Sequence, residues 1–422
     1  MKPPINELMD RIFSLSKFGI KMGLENMASA LKVLDLDFTK IRFVHIAGTN
    51  GKGSTAAALD SLIRHHSQGM TVGLYTSPHL IRFNERIVVN GKQISDDEML
   101  NIADLLFRKC KDISLTFFEF TTLMALCHFI NNNINIAVME TGLGGRLDAT
   151  NIINPEVAVI TSIGYDHMEH LGENLKDIAM EKAGIFKKGS TAVIARTDNN
   201  DILKQQAAKA GIKNTYEFGI DFNYTVNNDN SFNFLIKGEV IYENIKKDLL
   251  GEHQYLNSSL ALMAFSLLGL KGISDTITDA LKKVVWPGRL EPLTINGRKA
   301  YIDVSHNVEG MERTIEFLKT THKNEPIYTA CGFMKDKDYK KMIDLLSSIS
   351  KKVFLIPTTV PGRELGKIEY KNLFLDRQTE NILICNDFDD AINKITKENG
   401  VLLFTGSIYN YEHLRKAIQE VG

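Results

Sequence analysis

The sequence predicts a two-domain α/β protein, and three observations carry that expectation. Short apolar runs rich in β-branched residues alternate with amphipathic segments along most of the chain. The alternation breaks once, around Phe222–Tyr242, and restarts after Trp286-Pro287-Gly288. A length of 422 residues, at roughly 150 residues per domain, gives two or three domains.

The first series reads as strands at Ile41–Ala47, Val72–Thr76, Ile134–Glu140, Val157–Ser162 and Thr191–Ala195. These runs are apolar on both faces, as strands of a buried parallel sheet are. Helices fit Thr55–His66, Asp96–Lys109, Glu119–Asn131, Leu175–Phe186 and Asp201–Ala210, so layered βα units follow. Short runs at Asn223–Val226, Phe232–Ile236 and Val240–Tyr242, separated by Asn, Asp and Gly, predict antiparallel hairpins inserted at about 215–250. Helices at Asn257–Leu268 and Ile273–Val284 close the first domain.

The second series places strands at Ala300–Val304, Ile327–Cys331, Val353–Ile356, Ile382–Cys385 and Val401–Thr405. Its helices fit Glu309–Lys319, Tyr339–Ser348, Asp387–Lys397 and Tyr411–Glu420. Pro287 and Pro292 bracket the junction, which sets the domains at 1–290 and 291–422.

Composition excludes several classes. Fifty Lys and Arg stand against 51 Asp and Glu, and the pI is about 6.8. That balance gives no whole-protein footprint for nucleic acid. The longest apolar stretch, Leu260 to Leu270, is far shorter than the roughly 20 residues a bilayer demands. The opening MKPPINELMDRIF has no apolar h-region, so no signal peptide is expected. Cys110, Cys127, Cys331 and Cys385 lie far apart among apolar neighbours, with no C-x-x-C. They read as reduced core thiols, and the expected compartment is the cytoplasm.

Four motifs carry chemistry. Gly48-Thr49-Asn50-Gly51-Lys52-Gly53-Ser54 follows an apolar strand and opens a helix. Glycines let amides approach phosphate, and the helix N-terminus favours an anion. Lys52 can reach β- and γ-phosphates and the Ser54 hydroxyl can take Mg²⁺. Gly53 separates the two, which departs from the strict Walker A spacing. The bland alternative is a glycine-rich turn with a surface lysine.

Glu140 ends a very apolar strand, where α/β sheets bind ligands. It reads either as a Mg²⁺ ligand beside a nucleotide or as a strand-end salt-bridge partner. The following loop, Thr141 to Asn151, holds three glycines and an Arg146–Asp148 pair. It reads equally as an anion grip and as a long structural turn. His167 follows the strand Val157–Ser162, and Lys182 lies on the next helix. By residue chemistry alone His167 is structural and Lys182 is a solvated surface lysine. Asp303-Val304-Ser305-His306-Asn307 repeats the strand-end pattern in the second domain. Arg289, beside the only tryptophan, turns toward phosphate or serves as a surface hinge.

Seven ordered segments then become recognisable: HIAGTNGKGS, TSPHLIRFNERI, ETGLGGRLDATN, TSIGYDHMEHLG, EKAGIFKKG, WPGRLE and DVSHN. Together they resemble the folylpolyglutamate synthase/dihydrofolate synthase family, a branch of the Mur ligases. The resemblance implies an N-terminal P-loop ATPase domain with a mostly parallel sheet and a small β insertion. A C-terminal Rossmann-like α/β domain without a dinucleotide fingerprint follows. It implies ATP on Asn50, Gly51, Lys52, Gly53 and Ser54, joined by Asn257, Arg289 and Asp303. Mg²⁺, two ions by the family's pattern, would lie on Ser54, Ser77, Glu140, His167 and Lys182, with Lys182 carried as a carbamate. Lys52, His167, Lys182 and His306 form the implied catalytic set, and Asn307 continues the His306 motif.

On the pterin side the resemblance points to Met22, Gly23, Leu24 and Glu25. Thr116, Phe117, Phe118 and Glu119 join them, as do Leu147, Asp148 and Ala149, with Asp148 as acceptor for pterin N–H groups. Met22 stands where the family often has Leu, and Val308 where it often has Pro. The implied reaction is ATP-dependent amide formation through an acyl phosphate, in a site completed by domain closure. The partners are L-glutamate, dihydropteroate and tetrahydrofolate, with no nucleic acid and no membrane, in a chain expected to act as a monomer. Three alternatives stay open at this point: a folylpolyglutamate synthase alone, a cell-wall Mur-type amino-acid ligase, and a P-loop NTPase switch.

Overall fold

A computed structural model describes residues 5–19, 23–67, 69–374 and 380–421. The chain divides into two compact units. The first runs to Asp248 and resumes at Tyr255–Val284; the second holds Leu249–Gln254 and everything from Val285.

The first unit is built on an eight-stranded sheet. Its strands are β1 (Arg42–Ala47), β2 (Val72–Tyr75), β3 (Ile87–Val89), β4 (Lys92–Gln93), β5 (Ile136–Glu140), β6 (Pro155–Ile160), β7 (Thr191–Ile194) and β8 (Asn214–Glu217). The order is β4-β3-β2-β5-β1-β6-β7-β8. The six strands from β2 to β8 across that order run parallel, and β3 and β4 add an antiparallel edge. β8 belongs to this sheet, so the insertion is shorter than the sequence predicts. It is the antiparallel meander β9 (Phe222–Val226), β10 (Phe232–Ile236) and β11 (Glu239–Ile245).

Helices α1 (Ile5–Ser14), α2 (Glu25–Leu34), α3 (Lys52–His66), α4 (Asp96–Lys109), α5 (Phe117–Asn131), α6 (Met168–Leu171), α7 (Leu175–Ala183), α8 (Asn200–Ala210), α9 (His253–Leu267) and α10 (Ser274–Lys282) complete the unit. The sequence reading assigns no helix or strand before Ile41, so α1 and α2 are additions. Both are short and gain their order from tertiary packing: Leu8, Ile12, Met27 and Ala30 are buried in the same core as α4 and α5.

Local chemistry explains the best-defined helices. α4 begins at a capping box, with the Ser95 hydroxyl accepting from Glu98 N and the Glu98 carboxylate accepting from Ser95 N. Met99, Ile102, Ala103 and Leu106 recur at helical spacing and are all buried. α5 starts at a second box, Thr116 with Glu119, and is buried on nearly every side from Glu119 to Phe129. It is the wall between the sheet and α4. Farther along the same face, Ala179, Ala183, Leu203 and Ala207 of α7 and α8 pack on Ala158, Ile160, Ala192 and Ile194.

The second unit has strands β12 (Glu291–Ile295), β13 (Arg298–Asp303), β14 (Ile327–Cys331), β15 (Ser350–Leu355), β16 (Ile382–Ile384) and β17 (Val401–Thr405). Their order is β12-β13-β17-β14-β15-β16, parallel except for β12. Helices α11 (Val308–Thr321), α12 (Tyr339–Ser347), α13 (Lys367–Leu373), α14 (Phe388–Ile395) and α15 (Tyr411–Val421) flank it. The segment Arg289–Asn296, read from sequence as the junction, is largely strand β12. Pro292 is tolerated there because β12 is an edge strand, which has no ladder partner on one side. All four cysteines are buried and free. Among the described residues no helix is long and apolar enough to cross a membrane.

Candidate active site

Four neighbouring parallel strands of the first unit deliver polar groups at their C-terminal ends. The glycine-rich loop follows β1, Glu140 ends β5, Ser77 follows β2, and Asp166 and His167 follow β6. This edge of an open α/β sheet is where such folds bind ligands.

The loop after β1 is tied down from β6. Thr161 Oγ1 donates to the Asn50 carbonyl at 2.6 Å, and Asn50 N donates to Ser162 Oγ at 2.8 Å. Thr49 N donates to Ser162 O at 3.1 Å. Gly51 caps α3 in the left-handed region, φ 85°, and a Cβ there would lie 2.5 Å from Asn257 Oδ1 of α9. Only glycine satisfies both constraints, and the predicted nucleotide residue Asn257 is thereby placed against the loop. Lys52 Nζ donates to the Gly48 and Thr49 carbonyls at 2.9 and 3.2 Å, so its charge sits over the loop. Ser54, one turn into α3, is buried.

Glu140 is buried, and its Oε2 accepts from Ser77 N at 3.1 Å. Two predicted metal-binding residues are therefore adjacent. His167 has a left-handed backbone, φ 51°, and its Nε2 stands 3.9 Å from Asp166 Oδ1. Among the described residues no three His, Cys, Asp or Glu side chains cluster as a metal site. The donor set fits Mg²⁺ all the same, because that ion binds through one or two carboxylates together with substrate phosphates. Glu140, bonded to Ser77 N at the sheet edge that also carries the glycine-rich loop, offers such a carboxylate.

Lys182 corrects the sequence expectation outright. It is buried, 3% exposed, not on the surface. Burial, then the neighbouring Lys52 charge, push its ammonium down to about 7, against the opposing pull of Asp166 and Asp148. Both effects favour the neutral amine over the ammonium.

The Thr141–Asn151 loop is a built structure. Asp148 accepts at Oδ2 from Gly142 N and Leu143 N, 2.9 and 2.8 Å, and at Oδ1 from Thr150 N, 3.0 Å, and the Thr150 hydroxyl. All four lone-pair positions serve its own loop, so in this conformation the carboxylate has no spare acceptor for pterin N–H groups. Arg146 of the same loop forms its salt bridge with Glu181 at 2.7 Å. Asn151 Nδ2 donates to both Arg146 O and Gly184 O, 2.9 and 3.0 Å, stapling the loop to the end of α7. Leu147 is half-buried and Ala149 buried beside these groups.

The aromatic segment lies nearby. The Phe118 ring comes 2.5 Å from where a Cβ on Gly142 would stand, and it tilts against Tyr75. Phe117 stacks on Phe13 with ring centroids 5.6 Å apart. Thr116 and Glu119 are occupied as the cap of α5, and Glu119 Oε2 also accepts from Asn26 Nδ2 of α2 at 3.3 Å. Leu24 and Glu25 form the start of α2, next to Gly23. Met22 lies outside the described residues.

In the second unit, Asp303 at the end of β13 holds the Arg289 segment. Its Oδ2 accepts from Leu290 N at 2.9 Å, and its Oδ1 from Ser305 N, Thr314 Oγ1 and the Ser305 hydroxyl. Arg289 is half-buried beside this junction. His306 Nδ1 donates to Val304 O at 3.2 Å. Asn307 is the N-cap of α11, accepting from Gly310 N at 2.8 Å.

Sequence reading missed one buried network. His45, in the middle of β1 and fully buried, places Nε2 2.8 Å from Thr150 Oγ1. Burial, with Lys187 nearby, pushes its pKa down to about 3, so the ring is neutral. The available signals were a histidine inside an otherwise apolar strand and the Asp-x-Thr pattern at 148–150, repeated as Asp-x-Ser at 303–305. Both patterns fold here as side-chain turns onto the backbone two residues on.

Comparison with known proteins gives matches along nearly the whole chain. The Mur ligase middle domain matches residues 46–265, and the Mur ligase, glutamate ligase domain matches residues 288–408. The dihydrofolate synthase/folylpolyglutamate synthase of Bacillus subtilis is 35% identical over 422 residues, covering 96% of each chain. The structure of E. coli FolC in complex with DHPP and ADP superposes with a TM-score of 0.88 at 29% identity, covering 98% of both chains. A bifunctional folylpolyglutamate synthase/dihydrofolate synthase with Mn, AMPPNP and L-glutamate bound gives 0.88 at 26% identity, covering 99% of this chain and 100% of that one. The glycine-rich loop, the strand-end carboxylate and the buried lysine thus sit in a chain that belongs to the dihydrofolate synthase/folylpolyglutamate synthase family of the Mur ligases.

Proposed function

We propose that this protein is an ATP-dependent ligase that adds L-glutamate to dihydropteroate, giving dihydrofolate, and to the γ-carboxyl of tetrahydrofolates. The observation that carries the reading is the convergence at one sheet edge. A phosphate-binding loop, the Ser77–Glu140 pair and a buried lysine meet a shaped loop flanked by Phe118. The named ligands of the two similar structures, DHPP with ADP in E. coli FolC and Mn, AMPPNP and L-glutamate in the bifunctional synthase, support the same substrates here. A biosynthetic ligase of this kind is assigned to the cytoplasm.

In the proposed reaction a substrate carboxylate oxygen attacks the γ-phosphorus and ADP leaves. The amine of glutamate then attacks the acyl carbon, phosphate leaves, and the amine loses a proton. Lys52 and the loop amides oppose the charge on the transferring phosphoryl group, which is most of what a protein contributes to that step. Asn257, Arg289 and Asp303 complete the nucleotide contacts in this reading, and His306 belongs to the catalytic set. Ser54, Ser77, Glu140 and His167 would hold two Mg²⁺ ions, whose chemistry is to neutralise phosphate charge.

Lys182 is assigned as a carbamate. Its neutral Nζ attacks CO₂, an N–C bond forms as one C–O π pair moves onto oxygen, and the nitrogen loses one proton to solvent, so the amine becomes an anionic oxygen donor. The depressed ammonium and the adjacent Lys52 charge both favour that conversion. The pterin side takes Gly23, Leu24, Glu25, Phe117 and Phe118 with the 147–149 segment, and Thr116, Glu119 and Asp148 shape it through the bonds described above.

The test is stoichiometric. ADP release must require a pteridine carboxylate, with amide formation requiring glutamate. ATP hydrolysis at full rate without either would point to an NTPase switch instead.

A further inference from the structure

We propose that His45 is a positioning residue, which acts through the Thr150 hydroxyl to set the substrate loop relative to the phosphate-binding strand. This rests on the reading above that the Thr141–Asn151 loop faces the pteridine substrate.

The proton count fixes the direction of the chain. Thr150 has one hydroxyl proton, and it goes to Asp148 Oδ1, which also takes Thr150 N. The proton between His45 and Thr150 therefore belongs to His45 Nε2. That leaves Nδ1 bare, and among the described residues it meets no donor or acceptor. An unpaired buried nitrogen is a cost that an apolar ring at this position would avoid. What histidine supplies in return is a donor at Nε2.

The donor has a specific consequence. It occupies the Thr150 oxygen and holds the hydroxyl proton on Asp148 Oδ1. Asp148 Oδ2 is then left for the Gly142 and Leu143 amides, which closes the loop around the carboxylate. His45 lies two residues before Ala47, where β1 ends and the phosphate loop begins. One strand thus sets both the phosphate loop and the loop assigned to the carboxylate that must meet it. In-line transfer tolerates little error in that placement.

Two pairs of variants test the relay. Thr150→Val keeps the shape and removes the hydroxyl, and Thr150→Ser restores it. His45→Phe removes the ring donor, and His45→Gln returns an N–H near the position of Nε2. The relay predicts hydrogen exchange at the Gly142 and Leu143 amides about tenfold faster or more in Thr150→Val and His45→Phe. The KM for dihydropteroate should rise about tenfold or more, with the KM for ATP within about twofold of wild type. Thr150→Ser and His45→Gln should recover most of both. Unchanged exchange in folded Thr150→Val and His45→Phe would overturn the relay. So would serine and glutamine variants as impaired as valine and phenylalanine. Faster exchange with an unchanged pteridine KM would uphold the relay and overturn the assignment of this loop to the pteridine.

Discussion

Arg146 and Glu181 are joined twice. The backbone amide of Arg146 donates to the Glu181 carbonyl at 2.7 Å, and its guanidinium holds Glu181 Oε1 at 2.7 and 3.0 Å. Two motifs separated in sequence, GLGGRLDATN and EKAGI, are therefore one structural piece. The glycine before Arg146 makes the approach possible. A Cβ on Gly145 would lie 2.7 Å from the Lys182 carbonyl and 2.8 Å from that of Glu181.

Gly145→Ala should push the loop off α7. The expected cost is about 1–3 kcal/mol of stability, the usual range for overpacking. Because Lys182 shifts with the backbone, kcat should fall more than stability alone explains. Thermal unfolding alongside kcat at saturating substrates checks both. A variant that keeps its kcat would show that this contact does not position Lys182.

Lys52→Ala should abolish ligation while the fold persists. Lys52 bonds only loop carbonyls among its described contacts, so packing is spared. Losing a preorganised charge at the transferring phosphoryl group costs on the order of 10²-fold or more in rate. Circular dichroism with turnover measurements checks the separation. Near-wild-type turnover in a folded variant would remove the phosphate-loop reading.

Lys182→Ala should be nearly inactive, and a short added carboxylic acid should partly restore turnover by standing in for the carbamate. Labelled CO₂ should give a carbamate carbon signal in wild type that the variant lacks. A wild-type enzyme that is fully active with no such signal would rule the carbamate out.

Much of this was legible in the sequence, and the limits have physical causes. Strands such as Phe232–Ile236 and Val401–Thr405 and the helix Asp96–Lys109 stand as predicted, because period and caps are local signals. α1, α2 and β12 were not legible: their order comes from a core or a sheet partner distant in sequence. The site shows the same division. The glycine-rich loop reveals itself by composition, whereas Lys182 looks like any helix lysine until α7 is packed on the sheet. Arg146 has two acidic candidates, and only the folded loop shows that Asp148 is already filled by amides.

His45 predicts a pH dependence of stability. Its pKa is about 3 in the folded chain, below the ordinary 6.5 of the unfolded one. Between those values the unfolded state binds more protons, so stability rises with pH and is lost as pH falls from 6.5 toward 3. His45→Phe removes this contribution. Its loss of unfolding free energy from pH 6.5 to pH 4 should be smaller than that of wild type by on the order of 3 kcal/mol. Denaturant titrations at the two pH values check the difference. Equal losses in both proteins would mean that His45 is not held neutral.

The most direct test of the central claim is mass spectrometry of the products formed from ATP, Mg²⁺ and L-glutamate with either dihydropteroate or tetrahydrofolate. The account predicts a mass increase of one glutamyl residue on each substrate, with one ADP per amide bond. Extension of tetrahydrofolate without any dihydrofolate from saturating dihydropteroate would contradict the bifunctional reading and leave polyglutamylation alone. Extension of neither would contradict the ligase assignment itself.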